Sequence, residues 1–508
     1  MRQLKIKERQ YPFFLLLLIL FHLSTNLIWI NNNTYPGLSE EGGQLSFITH
    51  LYRDSHYKQN YTNIEWIKRL INNRSDRPPL FYLVSLSLIQ ILGFRYAVCV
   101  ITNSLFFIFL ILATYNIGKH LGNKTVGLWS AIIVSFYLPI YVNSHTYDMV
   151  LATTTLVSCA ILAFLETNCF TKRRNSIICG IIMGLGLLTK QTFVIFILGP
   201  LVYYIYILKK EHTKERLINF SSTILLSVFI ALIFYHPLIF HIQHVIKEST
   251  YKLFHTFYYL ELLFQQVLSP YSFLLFICGV YSCLKHVQGK EKYPLFTWIV
   301  ISLLILSISP SKRDRYFIPL LPAFAIITAY GIHKITFKSL KTILYGLSLY
   351  FGIFWFFAVN FPVNLTYFEK NKDNFFHRFG KPKGLLGNNL HPIKGFNIDG
   401  LLEYLENFDP ISTNIALVNL ERVSHLQWWI FILLTEHDFQ RINYFNTSKE
   451  ASESNCDFII YINKNDSLKT PFSSKYKICC NKQITIKFES PSTFSVILLK
   501  KYNNPHID

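Results

Sequence analysis

The chain has 508 residues, 51% hydrophobic and only 15% charged, with a mean hydropathy of +0.30 and a net charge of +20. A soluble protein of this length exposes far more charge, so a single water-soluble fold is excluded. The basic excess is scattered between apolar runs instead of being gathered with stacking aromatics on a polar domain, which excludes a nucleic-acid partner.

The chain opens with "MRQLKIKERQ" and then "YPFFLLLLILFHLSTNLIWI". The charged start and apolar stretch resemble a signal peptide, but the apolar run is long and no small-residue cleavage site follows it. This segment is therefore predicted to be a retained first span over 12–30. Further spans are predicted over 97–116, 126–142, 149–165, 176–189, 192–208, 218–238, 270–284, 294–309, 316–332 and 342–361, about eleven in all. Several are shorter than the ~20 residues an untilted crossing needs.

The segment "RPPLFYLVSLSLIQILG", 77–93, is ambiguous by itself, and the loop charges decide it. If it lies along the membrane interface and the N-terminus is cytoplasmic, every inside loop is basic. These loops then carry Lys119 and Lys124; Lys172, Arg173 and Arg174; Lys209, Lys210, Lys214 and Arg216; Lys285, Lys290 and Lys292; and Lys334, Lys338 and Lys341. If 77–93 is a span, all of these move outside. It is read as a juxtamembrane helix, and the predicted class is mainly α: a polytopic membrane helix bundle with interfacial helices.

After about residue 361 the pattern changes. "NIALVNL", "CDFIIYI", "KQITIKF" and "FSVILLK" read as strands, and "IDGLLEYLENF" and "HLQWWIFILL" as helices. The expected division is a transmembrane domain over 1–361 and a small extracytoplasmic α/β domain over 362–508, which carries no chemical motif. Of the nine cysteines, Cys99, Cys159, Cys179, Cys278 and Cys283 lie in apolar runs, and no spacing reads as a zinc site.

The expected outer face collects the loop 31–96, the turn "NSHTYD", the turn at Lys190-Gln191, the loop 239–269 and "SPSKRDRY". Its acids are Glu40, Glu41, Asp54 and Asp148. Its cations are Arg53, Arg77, Lys190, Lys312, Arg313 and Arg315, and its histidines are His50, His145, His236, His241 and His244. Ionisable groups at membrane depth are costly and tend to be functional. Carboxylates beside cations at a membrane surface suit group transfer from a lipid-linked phosphate. The carboxylate takes the proton of an acceptor hydroxyl, and the cations hold the departing phosphate.

Five stretches, "PGLSEEGGQLSFITHLYRD", "RPPLFYL", "YDMVLATTTLVSCAILAF", "GLGLLTKQTFVIFI" and "SKRDRYFIPLLPAFAIITAYGI", follow in an order and spacing that resemble the protein O-mannosyltransferase and lipid A aminoarabinose-transferase superfamily. The resemblance covers about residues 10–335. It implies a GT-C fold and a glycosyltransferase of the cytoplasmic membrane that uses a polyprenyl-phosphate sugar donor. The implied acceptor is a hydroxyl of a lipid, a glycan or a protein, and the enzyme works among membrane lipids. It places the catalytic acids at Glu40, Glu41 and Asp148, with Glu40, where the family usually has Asp, as the favoured base. Arg53, Arg77, Lys190, Lys312, Arg315 and Tyr316 become the candidate substrate contacts. Structural alternatives stand beside these roles. Glu40 and Glu41 suit the first turn of a helix capped by Ser39, Asp148 suits a helix cap, and Arg77 suits a headgroup anchor. No cofactor is required by a motif; a divalent metal near Glu41 or at His236, His241 and His244 is left open. The rival readings are a transporter or flippase of lipid-linked sugars and a membrane-anchored binding protein whose working part is 362–508.

Overall fold

The computed structural model describes residues 10–32, 40–56, 78–211, 213–235, 258–259, 269–286, 292–309, 313–360, 404–405, 407–419, 430–432, 434–445, 456–463, 476–487 and 491–501. The helices are α1 (Gln10–Asn32), α2 (Glu40–His56), α3 (Leu80–Leu92), α4 (Tyr96–Leu121), α5 (Lys124–Ser135), α6 (Leu138–Ser144) and α7 (Met149–Glu166). They continue with α8 (Arg173–Leu187), α9 (Phe193–Lys210), α10 (Lys214–Tyr235), α11 (Ser269–His286), α12 (Lys292–Ile308), a 3-10 helix (Asp314–Leu320), α13 (Leu321–Lys334) and α14 (Lys338–Asn360).

Each of the eleven predicted spans is helical over most of its described residues. Six helical stretches are long and apolar enough to cross a membrane: Gln10–Asn31, Tyr96–Leu121, Met149–Glu166, Phe193–Lys210, Lys214–Leu232 and Arg315–Lys334. The pair α5–α6, bent by 70°, makes a seventh if it counts as one span. The bend falls at Phe136–Tyr137, where Tyr137 is extended (φ −63°, ψ 124°). Pro139 sits in the first turn of α6, where a missing N–H costs nothing. Within the segment 77–93, Leu80–Leu92 folds as the short helix α3.

Two compact units divide the chain. The first is Met1–Asn32, Arg69–Val84 and Val100–Leu390; the second is Asn33–Lys68, Ser85–Cys99 and His391–Asp508. The first unit is the helix bundle. Every residue of α13 from Leu321 to Ile332 is buried, as befits a helix apolar all round with neighbours on every side. By contrast α1 exposes Phe13, Phe14, Leu16, Leu17, Leu20, Leu27 and Ile28, a face suited to lipid and not to water.

Glycine lets α11 and α13 touch backbone to backbone. A β-carbon on Gly331 would lie 2.8 Å from the Gly279 nitrogen. Polar side chains bond between helices: Thr155 Oγ1 donates to the Phe106 carbonyl at 2.9 Å, and Asn26 Nδ2 donates to Ser104 Oγ and to the Ser144 carbonyl, each at 3.2 Å.

The bundle has two chemically distinct ends. At one, Tyr11 Oη meets Thr125 Oγ1 at 2.8 Å, His120 Nε2 meets Glu166 Oε1 at 2.7 Å, and Asn123 Nδ2 meets His333 Nε2 at 3.1 Å. Lys119, Lys124, Lys172, Arg173 and Lys334 flank these residues in sequence. The other end joins the far termini of the same helices and carries the candidate site.

In the second unit, β1 (Asn414–Asn419), β2 (Arg441–Phe445), β3 (Phe458–Asn463), β4 (Tyr476–Lys487) and β5 (Pro491–Lys501) form a sheet of order β2-β1-β3-β5-β4. β1 pairs parallel with β2 and β3, and β5 pairs antiparallel with β3 and β4. Ile415, Ala416, Leu417 and Val418 are buried in succession, the pattern of a strand covered on both faces. The four predicted strands correspond to β1, β3, β4 and β5. β2 was not predicted, because "RINYF" is short and half polar. Of the two predicted helices, over 398–408 and 425–434, only 404–405, 407–408, 430–432 and 434 lie among the described residues.

Candidate functional site

The bundle end opposite His120 and Glu166 gathers four pieces of chain that are far apart in sequence. The N–H of Leu80, at the start of α3, donates to the Leu188 carbonyl at 2.9 Å. The next residue, Phe81, packs its ring 4.8 Å from that of Tyr147. Leu188 leads into the turn at Lys190, whose Nζ lies 5.7 Å from the centre of the Tyr316 ring. The Arg315 guanidinium lies 5.7 Å from the same ring. The entry to α3, the Tyr147-Asp148 turn, the Lys190 turn and the 3-10 helix are thereby linked in one neighbourhood.

Each piece is held by its local sequence. The 3-10 helix is anchored by the buried Phe317, Ile318 and Leu320 and packs on α7, so Arg315 and Tyr316 stand half-buried at the edge of the core. The Lys190 turn is closed by the Thr189 amide on the Gly186 carbonyl at 3.0 Å and by the Phe193 amide on the Lys190 carbonyl at 3.0 Å. Asp148 caps α7, its Oδ1 accepting from the Val150 N–H at 3.1 Å. The buried Asn103 donates to the Thr146 carbonyl at 2.6 Å and to the Asp148 carbonyl at 2.8 Å. Asn103 was not singled out from the sequence, although an Asn within the apolar run "CVITNSLFF" is the kind of intramembrane polar residue that warrants notice. His145 is buried against Trp29, ring centres 4.3 Å apart, and burial pushes its pKa down to about 3. It therefore brings no positive charge to this end.

Lys190 and Arg315 each approach the Tyr316 ring to 5.7 Å from its centre, and an aromatic face attracts a cation only modestly. Such a pair is suited to an anion between or beside the cations. Arg315 offers a planar fork to a phosphate, and Lys190 a mobile point charge.

The second unit holds the first-loop acids. Glu41, in the first turn of α2, is 6% exposed, and its Oε1 accepts from the Tyr96 hydroxyl at 3.2 Å. Glu40 begins the same helix; its side chain lies outside the described residues. Arg53, near the other end of α2, donates to Thr435 Oγ1 at 3.1 Å, to the Phe439 carbonyl at 2.6 Å and to the Gln440 carbonyl at 2.5 Å, and lies over the Phe431 ring. His50 stacks on Phe431, centres 4.5 Å apart. Arg77, Lys312, His236, His241 and His244 lie outside the described residues. Among the described residues, no three His, Cys, Asp or Glu side chains converge as a metal cage.

This is a multi-pass membrane protein. The family described as dolichyl-phosphate-mannose-protein mannosyltransferase matches residues 76–241. Among solved structures, ArnT from Cupriavidus metallidurans in its apo state aligns with a TM-score of 0.61 at 13% identity, covering 94% of this chain and 97% of that one. The same ArnT bound to undecaprenyl phosphate gives 0.55 at 12% identity over the same shares. The archaeal oligosaccharyltransferase AglB from Archaeoglobus fulgidus, in complex with an inhibitory peptide and a dolichol-phosphate, gives 0.52 at 10% identity, covering 90% of this chain and 70% of that one. An uncharacterized protein of Aquifex aeolicus is 23% identical over 346 residues, an alignment spanning 65% of this chain and 64% of that relative. The fold is thus GT-C, and the resemblance to glycosyltransferases of the protein mannosyltransferase and ArnT type, drawn from the motifs, holds.

Proposed function

We propose that this protein is a membrane glycosyltransferase that moves a sugar from a polyprenyl phosphate to an acceptor hydroxyl on the outer face of the cytoplasmic membrane. The observation that carries the reading is the meeting of Lys190 and Arg315 at Tyr316, two cations from distant parts of a GT-C fold. In the proposed step Glu40 takes the acceptor's proton, assisted by Asp148, as the acceptor oxygen bonds to the anomeric carbon. The bond from that carbon to the phosphate oxygen breaks, and its electron pair leaves with the polyprenyl phosphate. Arg315 and Lys190, with Arg77, receive the added charge. Attack from the face opposite the leaving phosphate inverts the anomeric centre. Glu41 orders the helix that carries Glu40.

ArnT bound to undecaprenyl phosphate and AglB with a dolichol-phosphate support a polyprenyl-linked donor, and the basic residues at the opposite bundle end support the orientation. A flippase would show broken helices in repeated halves; among the described residues α5–α6 is the one bent pair.

The test uses purified membranes, a labelled polyprenyl-phosphate sugar, and the variants Glu40→Gln and Glu41→Gln. Loss of transfer in Glu40→Gln is expected. Undiminished transfer in both variants would remove the acid pair from the mechanism, and donor crossing the bilayer unconsumed would make the protein a flippase. Accessibility labelling should find positions 40 and 315 on the same, outer side.

A further inference from the structure

The C-terminal domain carries no chemical motif, yet its Phe431, Thr435, Phe439 and Gln440 touch the C-terminal half of α2. At the end of α2 nearer its C-terminus, Arg53 donates to Thr435 and to the carbonyls of Phe439 and Gln440, and His50 stacks on Phe431. At the other end, Glu41 is buried, and a buried carboxylate needs a donor. The Tyr96 hydroxyl supplies one at 3.2 Å. Tyr96 is itself 3% exposed and opens α4, where its N–H is one of the amides a helix start leaves without an internal partner. Glu436 Oε1 accepts that N–H.

We propose that Tyr96 is a positioning residue for the acid pair and that Glu436, from the C-terminal domain, fixes Tyr96. Residues 435–440 then hold α2 at two points, through Arg53 directly and through Glu41 by way of Tyr96. These points stand about 18 Å apart along the helix at 1.5 Å per residue. A helix held at two points can neither tilt nor turn. Glu40 directly precedes Glu41 in α2, so holding Glu41 and Arg53 fixes the stretch of helix backbone that carries Glu40. Burial raises the Glu436 carboxyl to about 7, against which its bond to the Tyr96 N–H and the charge of Arg95 act in the opposite sense. Both protonation states keep an oxygen able to accept from that N–H, so the link persists across neutral pH.

This inference rests on the acid pair serving the proposed transfer, and its test separates the two. The full-length protein in lipid nanodiscs is compared with Tyr96→Phe, Glu436→Leu and Glu436→Gln by transfer kinetics and by hydrogen exchange over 40–56. Tyr96→Phe deletes the bond to Glu41, Glu436→Leu deletes the acceptor, and Glu436→Gln retains an acceptor oxygen. In Tyr96→Phe and Glu436→Leu, kcat is expected to fall about 10- to 100-fold with KM within about two-fold, the size of effect a small misplacement of a reacting group produces. Exchange over 40–56 should rise in the same two variants, and Glu436→Gln should restore both readouts. Unchanged kcat with faster exchange would reduce the contacts to simple packing and overturn the proposal, as would unchanged kcat and unchanged exchange. If Glu436→Leu does not fold, Tyr96→Phe, which removes one oxygen, decides alone. If the parent protein transfers no sugar, the exchange arm still decides whether the contacts hold α2, and only the transfer reading falls.

Discussion

Replacing Arg53 with alanine tests whether this cation is an anchor or a donor ligand. Its guanidinium makes three hydrogen bonds, to Thr435 Oγ1, the Phe439 carbonyl and the Gln440 carbonyl, and lies 5.2 Å from the centre of the Phe431 ring. A charged donor bonding a neutral acceptor contributes about 1.5–3 kcal/mol when well buried. Arg53 is only partly buried, so water replaces part of each bond and about 1 kcal/mol apiece is the fitting figure, or about 3 kcal/mol for the set. At 1.4 kcal/mol per factor of ten, that opens the contact about 100-fold more often. Hydrogen exchange in 434–445 of Arg53→Ala should therefore accelerate by about that factor, with kcat lowered and the KM for the donor little changed. Arg53→Lys should recover less than half, since one ammonium cannot reach three separated acceptors in a fixed fork. Unchanged exchange combined with a raised donor KM would refute the anchor and make Arg53 a phosphate contact.

Other outcomes follow from the same geometry. Arg315→Ala and Lys190→Ala should each weaken binding of a polyprenyl phosphate in detergent solution by about 10- to 100-fold, the loss expected for one charge-assisted contact to an anion. Arg315→Lys should recover only part of this, and the double variant should lose less than the product of the two, since both act on one anion. The Glu436 carboxyl, raised from 4.5 to about 7 by burial, binds its proton more tightly folded than unfolded. Its contribution to stability is complete below pH 4.5 and is lost as the pH climbs through about 7. Thermal denaturation between these values should show that decline in the parent protein and a flatter profile in Glu436→Gln. Gly331→Val places a branched side chain against the backbone at Gly279 and should cost about 1–3 kcal/mol or more, seen as a lower melting temperature and poorer yield in detergent. A Gly331→Val protein that melts like the parent would show that α11 and α13 separate without cost.

The sequence by itself determined the membrane class, the helical segments and the strands β1, β3, β4 and β5. Apolar runs and alternating patterns are local, and burial in lipid or in a sheet core selects for them residue by residue. It also named Lys190, Arg315 and Tyr316, because charge beside an apolar span is visible in one dimension. Only the tertiary structure decided which of these meet. The distance from Lys190 to the Tyr316 ring depends on how α7, α8, α9 and the 3-10 helix pack, and no local pattern encodes it. Asn103 escaped notice because its work, holding the Asp148 turn by two carbonyls, is defined by a neighbouring helix. Arg53 drew attention as one more loop cation, while its hydrogen bonds run to residues 435–440, nearly four hundred positions onward in sequence. Glu436 looked like an ordinary acid in a domain without a motif. Its half-buried carboxylate and the Tyr96 amide become partners only when the chain folds, since a hydrogen bond is short-ranged in space and indifferent to separation along the sequence.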